Sequence, residues 1–446
     1  MDFQGFLDSP MPKTNGKPNR LSYFISHWFS FILIFVICII IYLGMETYSF
    51  GPFTSRDLAN IDAVNDQVEP FYFIHLTDTH VCEKPLNVGH DIEIFQAIDK
   101  TLDPCLVVLS GDITDGSETT FIGEFRHQAE INWIKFKNIS DQYLAQNDRI
   151  IFPIAGNHDF YSLYDDSKSF YRQYILQNDS DYRTRKLQYL NTPVGNISFL
   201  GFVSMPIPYT NAPFGTILHL QKEYFEYLDS QYDEDIPTIL FMHFPPQSII
   251  ASKEVKKKVL EKAELILDGH YHPRTPEITF IGKTISIMSP ATYESDIVPL
   301  ITYERGAIVY NEMHPLNKNN KNNVIEIAIS YPVPEDQISS YTVFNIDTFS
   351  IRIMVFASEE VLKSQNLENL QNLEIEAEID GENFGKFLFR KNVRKTGAFY
   401  SLPVKSLSKG KHTLKVFGTS SKIKIQTRLK LNFPRKSCRA ATPTWQ

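Results

Sequence analysis

Five short polar motifs in this sequence contain the residue types that bind metal ions. They hold Asp, Asn and five of the chain's 12 histidines. Imidazole and carboxylate ligands together suit Zn, Mn, Fe or Co, and one carboxylate can bridge two metal ions about 3.5–4 Å apart. The motifs therefore predict a dinuclear metal site. In chain order they are Asp78-Thr-His80, Gly111-Asp112-Ile-Thr-Asp115, Gly156-Asn157-His158-Asp159, His243 and Gly269-His270-Tyr-His272.

Each motif alone is weak evidence. Asp-x-His arises by chance in loops, and a single histidine such as His243 is more often a buried core residue than a ligand. The prediction depends on all five motifs occurring in order, each after an apolar run. Glycines before Asp112, Asn157 and His270 also allow close backbone approach or unusual φ angles.

The elements that must position these motifs are short apolar runs, which predict buried strands, and longer mixed segments, which predict helices. Alternating strands and helices indicate an α/β layered domain. Ligands bind beyond the carboxyl ends of the strands in such folds, so the motifs can converge. The predicted strands are 71–77, 106–110, 150–155, 197–203, 238–243 and 265–268, and the predicted helices are 92–101, 121–137, 168–177 and 221–231.

The sequence changes character after the polar segment 317–323. Seven strand-like segments follow, at 324–330, 349–356, 373–379, 386–393, 398–404, 412–417 and 422–431. They predict a β-sandwich of immunoglobulin-like size. Residues 324–446 contain 18 Lys and Arg against 12 Asp and Glu, whereas the whole chain has a net charge of −8. We interpret the basic excess as a solvated face and expect no nucleic-acid partner.

Residues 21–45 contain no Asp, Glu, Lys or Arg. About 20 apolar residues span the hydrocarbon core of a bilayer, so this segment predicts one transmembrane helix. The alternative is a cleaved signal peptide, whose apolar core would be shorter and would end in small residues.

The residues that flank this segment predict its orientation. Lys13, Lys17 and Arg20 precede it, which indicates a cytoplasmic N-terminus and a catalytic domain that is lumenal or extracellular. Three N-x-S sequons agree with a glycoprotein of this topology. They begin at Asn138, Asn178 and Asn196.

The ordered motifs resemble the calcineurin-like metallophosphoesterase superfamily over about residues 71–310. The resemblance implies a four-layer sandwich of two mixed sheets flanked by helices, and two divalent metal ions (Mn, Zn, Fe or Mg). It implies that His158 faces the phosphate and that Asp159 orients it, as the catalytic residues. Asp115 stands where purple acid phosphatases have a ligand tyrosine, which argues against a tyrosinate-ligated ferric site. The implied ligands are Asp78, His80, Asp112 and His272 for one metal, with Asp112 bridging, and Asn157, His243 and His270 for the other.

A closer resemblance is to the transmembrane protein 62 family. It is carried by Arg126-His127 with Trp133, by Phe170-Tyr-Arg-Gln-Tyr174, and by Thr192-Pro-Val-Gly-Asn-Ile-Ser-Phe199. That family implies an immunoglobulin-like domain after the phosphoesterase domain, and then several C-terminal membrane helices. These helices have no counterpart in this sequence, in which no second long apolar run follows Met45.

The predicted function is a membrane-anchored hydrolase that cleaves phosphate esters by attack of a metal-bridging hydroxide. The alternative is a catalytically silent binding or scaffold protein with the same fold, which loss of a metal ligand would indicate. Every ligand position is retained. The predicted segments are a cytoplasmic tail (1–20), a transmembrane helix (21–45), a linker (46–69), the metallophosphoesterase domain (70–312), a linker (313–323), the immunoglobulin-like β-sandwich (324–433) and a polar tail (434–446).

Overall fold

In the computed structural model of the chain, two mixed β-sheets carry the five motifs. Their strands are β1 (Phe71–Leu76), β2 (Leu106–Ser110), β3 (Ile150–Ile154), β4 (Gln188–Thr192), β5 (Gly195–Phe202), β6 (Gly215–Thr216), β7 (Thr238–Met242), β8 (Ile249–Ile250), β9 (Leu265–Asp268), β10 (Glu277–Ile281), β11 (Thr284–Met288), β12 (Val298–Glu304) and β13 (Ala307–Met313). The first sheet has the order β13-β12-β1-β2-β3 and the second β10-β11-β9-β7-β5-β4, and β6 pairs with β8 apart from them. All six predicted strands are present, with bounds within two residues of the prediction.

The strands that precede the motifs run parallel within each sheet. β1, β2 and β3 are parallel neighbours, as are β5, β7, β9 and β11. Antiparallel strands occupy the remaining positions of both sheets. This arrangement brings the carboxyl ends of the parallel strands in each sheet to one edge, where ligands bind in α/β folds.

A shared hydrophobic core fills the space between the two sheets. The Phe199 ring of β5 lies 5.4 Å from Phe73 and 5.5 Å from Phe152 of the first sheet. Phe152 also stacks on Phe241 of β7. Burying one such side chain contributes about 1.5–3 kcal/mol. Every residue of β1, β2, β7 and β9 is buried, which explains why their sequences are continuously apolar rather than alternating.

Two helices and their π-helical extensions pack beside this core. Helix α1 (Pro85–Ala97) continues into a π-helical turn at Ile98–Leu102, and helix α2 (Glu130–Ile139) into another at Ser140–Leu144. Phe95 of α1 contacts Phe136 of α2 with ring centroids 6.4 Å apart. The helix predicted at 92–101 begins earlier, and the described part of the helix predicted at 121–137 is helical over residues 130–137. A third π-helical turn, Arg172–Leu176, lies within the predicted helix 168–177.

The C-terminal part forms two antiparallel four-stranded sheets, β14-β15-β19-β18 and β17-β16-β20-β21, around a second hydrophobic core. The elements are β14 (Glu326–Tyr331), β15 (Phe349–Phe356), helix α3 (Glu359–Ser364), β16 (Ile375–Ile379), β17 (Glu382–Lys386), β18 (Leu388–Val393), β19 (Gly397–Val404), β20 (Gly410–Gly418) and β21 (Gln426–Phe433). Strand β17 was not expected. Asp380 and Gly381, with φ of 54° and 88°, are an Asp-Gly hairpin signal that predicts it.

The structure describes residues 67–82, 85–116, 127–161, 168–176, 188–205, 215–216, 233, 236–250, 260, 263–282, 284–304, 307–316, 325–339, 342, 349–364, 366–404, 407–408, 410–418 and 426–433. The predicted transmembrane helix, both predicted tails and the predicted helix 221–231 lie outside these residues. Among the helices that are described, none is long and apolar enough to cross a membrane.

A buried ion pair joins the first sheet to the C-terminal sheets. Arg352 of β15 and Glu304 of β12 are each 1% exposed, and Arg352 Nε lies 2.8 Å from a Glu304 carboxylate oxygen. Arg352 also donates to the Val68 carbonyl, and its guanidinium lies over the Phe399 ring. The pair therefore links β12 to two strands of the C-terminal part.

Replacing Arg352 by Met should destabilise the protein by about 3–5 kcal/mol, because it leaves the Glu304 carboxylate buried without a partner. The free energy of unfolding in urea measures this loss, and Glu304→Gln in the same chain should recover part of it. Lys363→Met, which breaks an exposed pair with Glu359, should have little effect. Equal losses for Arg352→Met and Lys363→Met would contradict the expected role of the buried pair.

Candidate metal centre

The structure brings all seven predicted metal ligands together at the carboxyl ends of the parallel strands. Hydrogen bonds between the loops hold them there. The Asp78 N–H donates to the Gly111 carbonyl at 2.9 Å, and the His80 N–H donates to the Asp112 carbonyl at 3.0 Å. On the second sheet, the Gly269 N–H donates to the His243 carbonyl at 3.1 Å. Backbone contacts between neighbouring strand ends thus fix the relative positions of the motifs.

The first group of converging ligand atoms belongs to Asp78, His80 and His272, and these atoms all lie within 4.8 Å of one another. Asp78 Oδ1 lies 3.1 Å from His272 Nε2 and 3.7 Å from His80 Nε2. The other oxygen, Oδ2, accepts hydrogen bonds from the Thr77 hydroxyl and the His270 N–H. The carboxylate is therefore oriented, with one oxygen directed at the two imidazoles.

The second group consists of Asp112, Asn157, His243 and His270. His243 Nδ1 lies 3.0 Å from the Ser110 carbonyl, which can only accept, so Nδ1 carries the proton. In the neutral form that binds a metal, His243 Nε2 then presents its lone pair to the site. It lies 2.8 Å from Asn157 Oδ1, 3.2 Å from Asp112 Oδ2 and 3.2 Å from His270 Nδ1. A hydrogen bond of this kind, made by the ring nitrogen that does not face the metal, fixes the tautomer of a metal-binding histidine.

Asp112 lies between the two groups. Its Oδ2 is 3.2 Å from His243 Nε2 in one group and 3.7 Å from His80 Nε2 in the other. Its Oδ1 accepts the His158 backbone N–H at 2.8 Å. One carboxylate is therefore available to both groups, as the bridging position requires.

Strained backbone conformations shape the site. Five of the predicted ligands are non-glycine residues with positive φ, between 45° and 75°. Such residues are uncommon and cluster at functional sites. Close approach also requires glycine, because a Cβ at Gly156 would overlap Asp112 and one at Gly269 would overlap Thr77 and Asp78. The five ligands with positive φ are Asp78, His80, Asp112, His270 and His272.

The electrostatics of the site favour positive charge where the ligand atoms meet. Burial would raise the pKa of Asp112, but the nearby histidines hold it below its ordinary range. Burial would lower the pKa of His243, yet the Asp112 carboxylate raises it to about 9. The pKa of His80 is also raised, against burial, by Asp115 and Asp78. Two oriented carboxylates, converging imidazole nitrogens and this preference for cations fit a pair of divalent metal ions.

His158 pairs with Asp115, and the expected pairing with Asp159 is wrong. His158 Nδ1 lies 2.8 Å from Asp115 Oδ1, which is also 3.3 Å from His80 Nδ1. The Asp159 carboxylate instead accepts the backbone N–H groups of Gly156, Ile113 and Thr114. Burial, and then the charge of Asp112, raise the pKa of Asp159 to about 6. Asp159 therefore connects the loops of the second and third motifs, because backbone donors from both loops occupy its two oxygens.

His75 lies outside the site, in the core of the first sheet. It is fully buried and its two nitrogens lie 2.7 Å from Ser289 Oγ and 2.8 Å from Ser110 Oγ. Burial lowers its pKa to about 3, so it stays neutral. Cys82 and Cys105 are not joined by a disulfide in the part of the chain that the structure describes.

The domain that carries the candidate metal centre matches a known family. Residues 71–274 match the calcineurin-like phosphoesterase family, so the chain contains a calcineurin-like phosphoesterase domain, as its motifs predicted. Transmembrane protein 62 of Mus musculus is 25% identical over 211 residues, which cover 45% of this chain and 32% of that protein. The match to this second family is also confirmed, and it spans about a third of the relative's length.

Solved structures with detectable similarity have low sequence identity. One is GAP50, the anchor in the inner membrane complex of Plasmodium, at 12% identity and a TM-score of 0.38, covering 56% of this chain and 86% of that chain. Another is the sulfate thiohydrolase SoxB of Thermus thermophilus in complex with glycerol, at 10% identity and a TM-score of 0.35, covering 61% and 58%.

Replacing Asp115 by Asn should lower the affinity for divalent metal tenfold to a hundredfold, because His80 loses the carboxylate that orients it. Titration calorimetry with Mn²⁺ or Zn²⁺ measures this change. The matched control is Asp141→Asn, at an exposed surface pair with Lys137, which should bind metal normally. Unchanged metal affinity in Asp115→Asn would show that Asp115 does not support the centre.

Proposed function

We propose that this chain is a metal-dependent phosphoesterase, anchored in a membrane by residues 21–45. The observation that carries the proposal is the position of the Asp112 carboxylate. This carboxylate lies between two groups of converging ligand atoms. Its Oδ1 accepts the backbone N–H of His158, the residue that the motif places at the phosphate. Retention of every ligand position supports an enzyme over a silent scaffold.

Asp78, His80, Asp112 and His272 would hold one divalent ion, and Asp112, Asn157, His243 and His270 the other. Bound there, the two ions would supply an activated water near neutral pH and would neutralise charge on the phosphoryl group. The protein's part is to keep the ligands in place. Thr77, the Ser110 carbonyl and the His158 N–H do this through the hydrogen bonds described above.

His158 is the proposed acid for the leaving group. Its Nδ1 donates to the Asp115 carboxylate, so the proton on Nδ1 is fixed and Nε2 faces the site, 3.8 Å from Asp112 Oδ2. A proton on Nε2 can be transferred to the leaving oxygen of the ester. The Asp115 carboxylate holds the imidazole in this orientation, and the same imidazole edge can hydrogen-bond a phosphoryl oxygen.

Removal of the metal should abolish hydrolysis of a chromogenic phosphate monoester or diester, and Mn, Zn, Mg or Fe should restore it. Asp112→Asn should lower turnover at least about a hundredfold, because both groups of ligands lose a shared carboxylate. Metal content by mass spectrometry and turnover are measured on the same samples, with Asp141→Asn as the control. Full metal content and full turnover in Asp112→Asn would refute the assignment. A metal-loaded chain that hydrolyses neither ester would indicate the silent scaffold instead.

The proposed domains are a phosphoesterase domain at 70–312 and an immunoglobulin-like sandwich at 324–433, both lumenal or extracellular.

The exposed positions of Asn138 and Asn196 support this topology, because glycosylation of N-x-S sequons needs accessible asparagine. Endoglycosidase treatment of the full chain expressed in eukaryotic cells should therefore lower its apparent mass. An unchanged mass would count against the lumenal placement. Asn138→Gln combined with Asn196→Gln should remove the corresponding part of the shift.

A further inference from the structure

Three tyrosine rings lie against the histidines of the metal centre, and we call them the tyrosine rim (Tyr161, Tyr271 and Tyr293). Each comes from a different part of the chain: after the third motif, within the fifth, and after β11. The ring centroids are 4.4 Å apart for Tyr161 and His158, 4.9 Å for Tyr271 and His270, 5.2 Å for Tyr293 and His80, and 5.6 Å for Tyr293 and His272.

The rim tyrosines differ from the tyrosines of the core. Tyr271 is 57% exposed, the largest value among the exposed large hydrophobic side chains of the described residues, and Tyr161 and Tyr293 are half-buried. Core tyrosines such as Tyr72 and Tyr171 are at most 3% exposed, and their hydroxyls donate to backbone carbonyls. The rim therefore presents aromatic surface to solvent beside the proposed phosphate position.

Exposed tyrosine rings bind other aromatic rings by stacking or edge contacts, and base stacking on such a ring is worth a factor of roughly 5 to 150 in affinity. The Glu294 carboxylate lies at the same opening of the site, which we call the mouth. It is half exposed and 3.9 Å from His272 Nδ1, so its negative charge disfavours substrates that carry several negative charges. A substrate with one phosphate and a neutral ring suits this mouth better than one with several phosphates.

We propose that the tyrosine rim selects phosphate monoesters with a flat aromatic ring a short distance from the phosphate, as in nucleoside monophosphates, over aliphatic phosphate esters. This inference rests on the proposed function, because it takes the metal centre as the place where the phosphate binds.

The test compares adenosine 5′-monophosphate with ribose 5-phosphate, using the full chain loaded with metal. Both substrates release a ribose 5′-hydroxyl, so they differ in the presence of the base and not in the leaving group. We expect kcat/KM to be at least about fivefold higher for the nucleotide. Titration calorimetry of both compounds gives a second readout that does not require turnover.

Variants of the rim connect the preference to these residues. Tyr271→Ala and Tyr161→Ala should each lower the nucleotide preference at least about threefold, whereas Tyr271→Phe should keep it, because the ring and not the hydroxyl makes the contact. Tyr189→Ala is the matched control. Tyr189 is 49% exposed and lies on β4, which carries no motif, so this variant should behave as the wild type. Metal content is measured for every variant.

The outcomes separate the two proposals. Equal kcat/KM for the two substrates in an active enzyme would overturn the rim inference and leave the phosphoesterase assignment standing. If no phosphate ester is hydrolysed, the proposed function fails, and the calorimetric comparison alone decides the inference. Tighter binding of the nucleotide that Tyr271→Ala weakens would support it, and equal binding of the two compounds would overturn it.

Discussion

The shared carboxylate of Asp112 is the interaction on which the rest of the site depends. Its Oδ2 lies within 3.7 Å of an imidazole nitrogen in each of the two ligand groups. A single oxygen can serve both groups only if the ends of both sheets approach closely. The backbone near Asp112 therefore has little freedom, and the His158 N–H fixes its other oxygen. The two-sheet architecture satisfies this requirement because parallel strand ends from both sheets meet at one edge.

The positive φ angles of the site destabilise the folded protein, and the surrounding core supplies the stability that offsets them. Five ligands adopt positive φ without being glycine, at a cost of order 1–3 kcal/mol each. The buried Asp159 carboxylate offsets part of this strain by binding three backbone N–H groups from two motif loops. Asp159, which the motif predicts to be catalytic, thus stabilises the loop backbone, and Asp115 lies beside His158.

The C-terminal sheets are part of the same compact unit as the two sheets that carry the metal centre. Asn311 of β13 accepts and donates hydrogen bonds with the Ile329 backbone of β14, and Thr302 donates to the same residue. With the buried Arg352–Glu304 pair, these contacts couple the edge of the first sheet to the C-terminal sheets. We expect the two parts to unfold together rather than as independent modules, since buried polar contacts are costly to break one at a time.

Local residue types were enough to predict the six strands β1, β2, β3, β5, β7 and β9, the five motifs and their order, because continuous apolar runs and metal-binding residue types are local properties of the chain. It missed β17 because that strand has almost no apolar residues, and only the preceding Asp380-Gly381 turn indicates it. It also assigned the partner of His158 wrongly. Asp159 is next to His158 in the sequence, whereas Asp115 belongs to the preceding motif, and which carboxylate reaches the ring depends on how the loops after β2 and β3 pack. Likewise Tyr161, Tyr271 and Tyr293 have no shared sequence pattern, and only the tertiary structure brings them to one site, because contacts between distant segments depend on how the sheets pack rather than on local residue type.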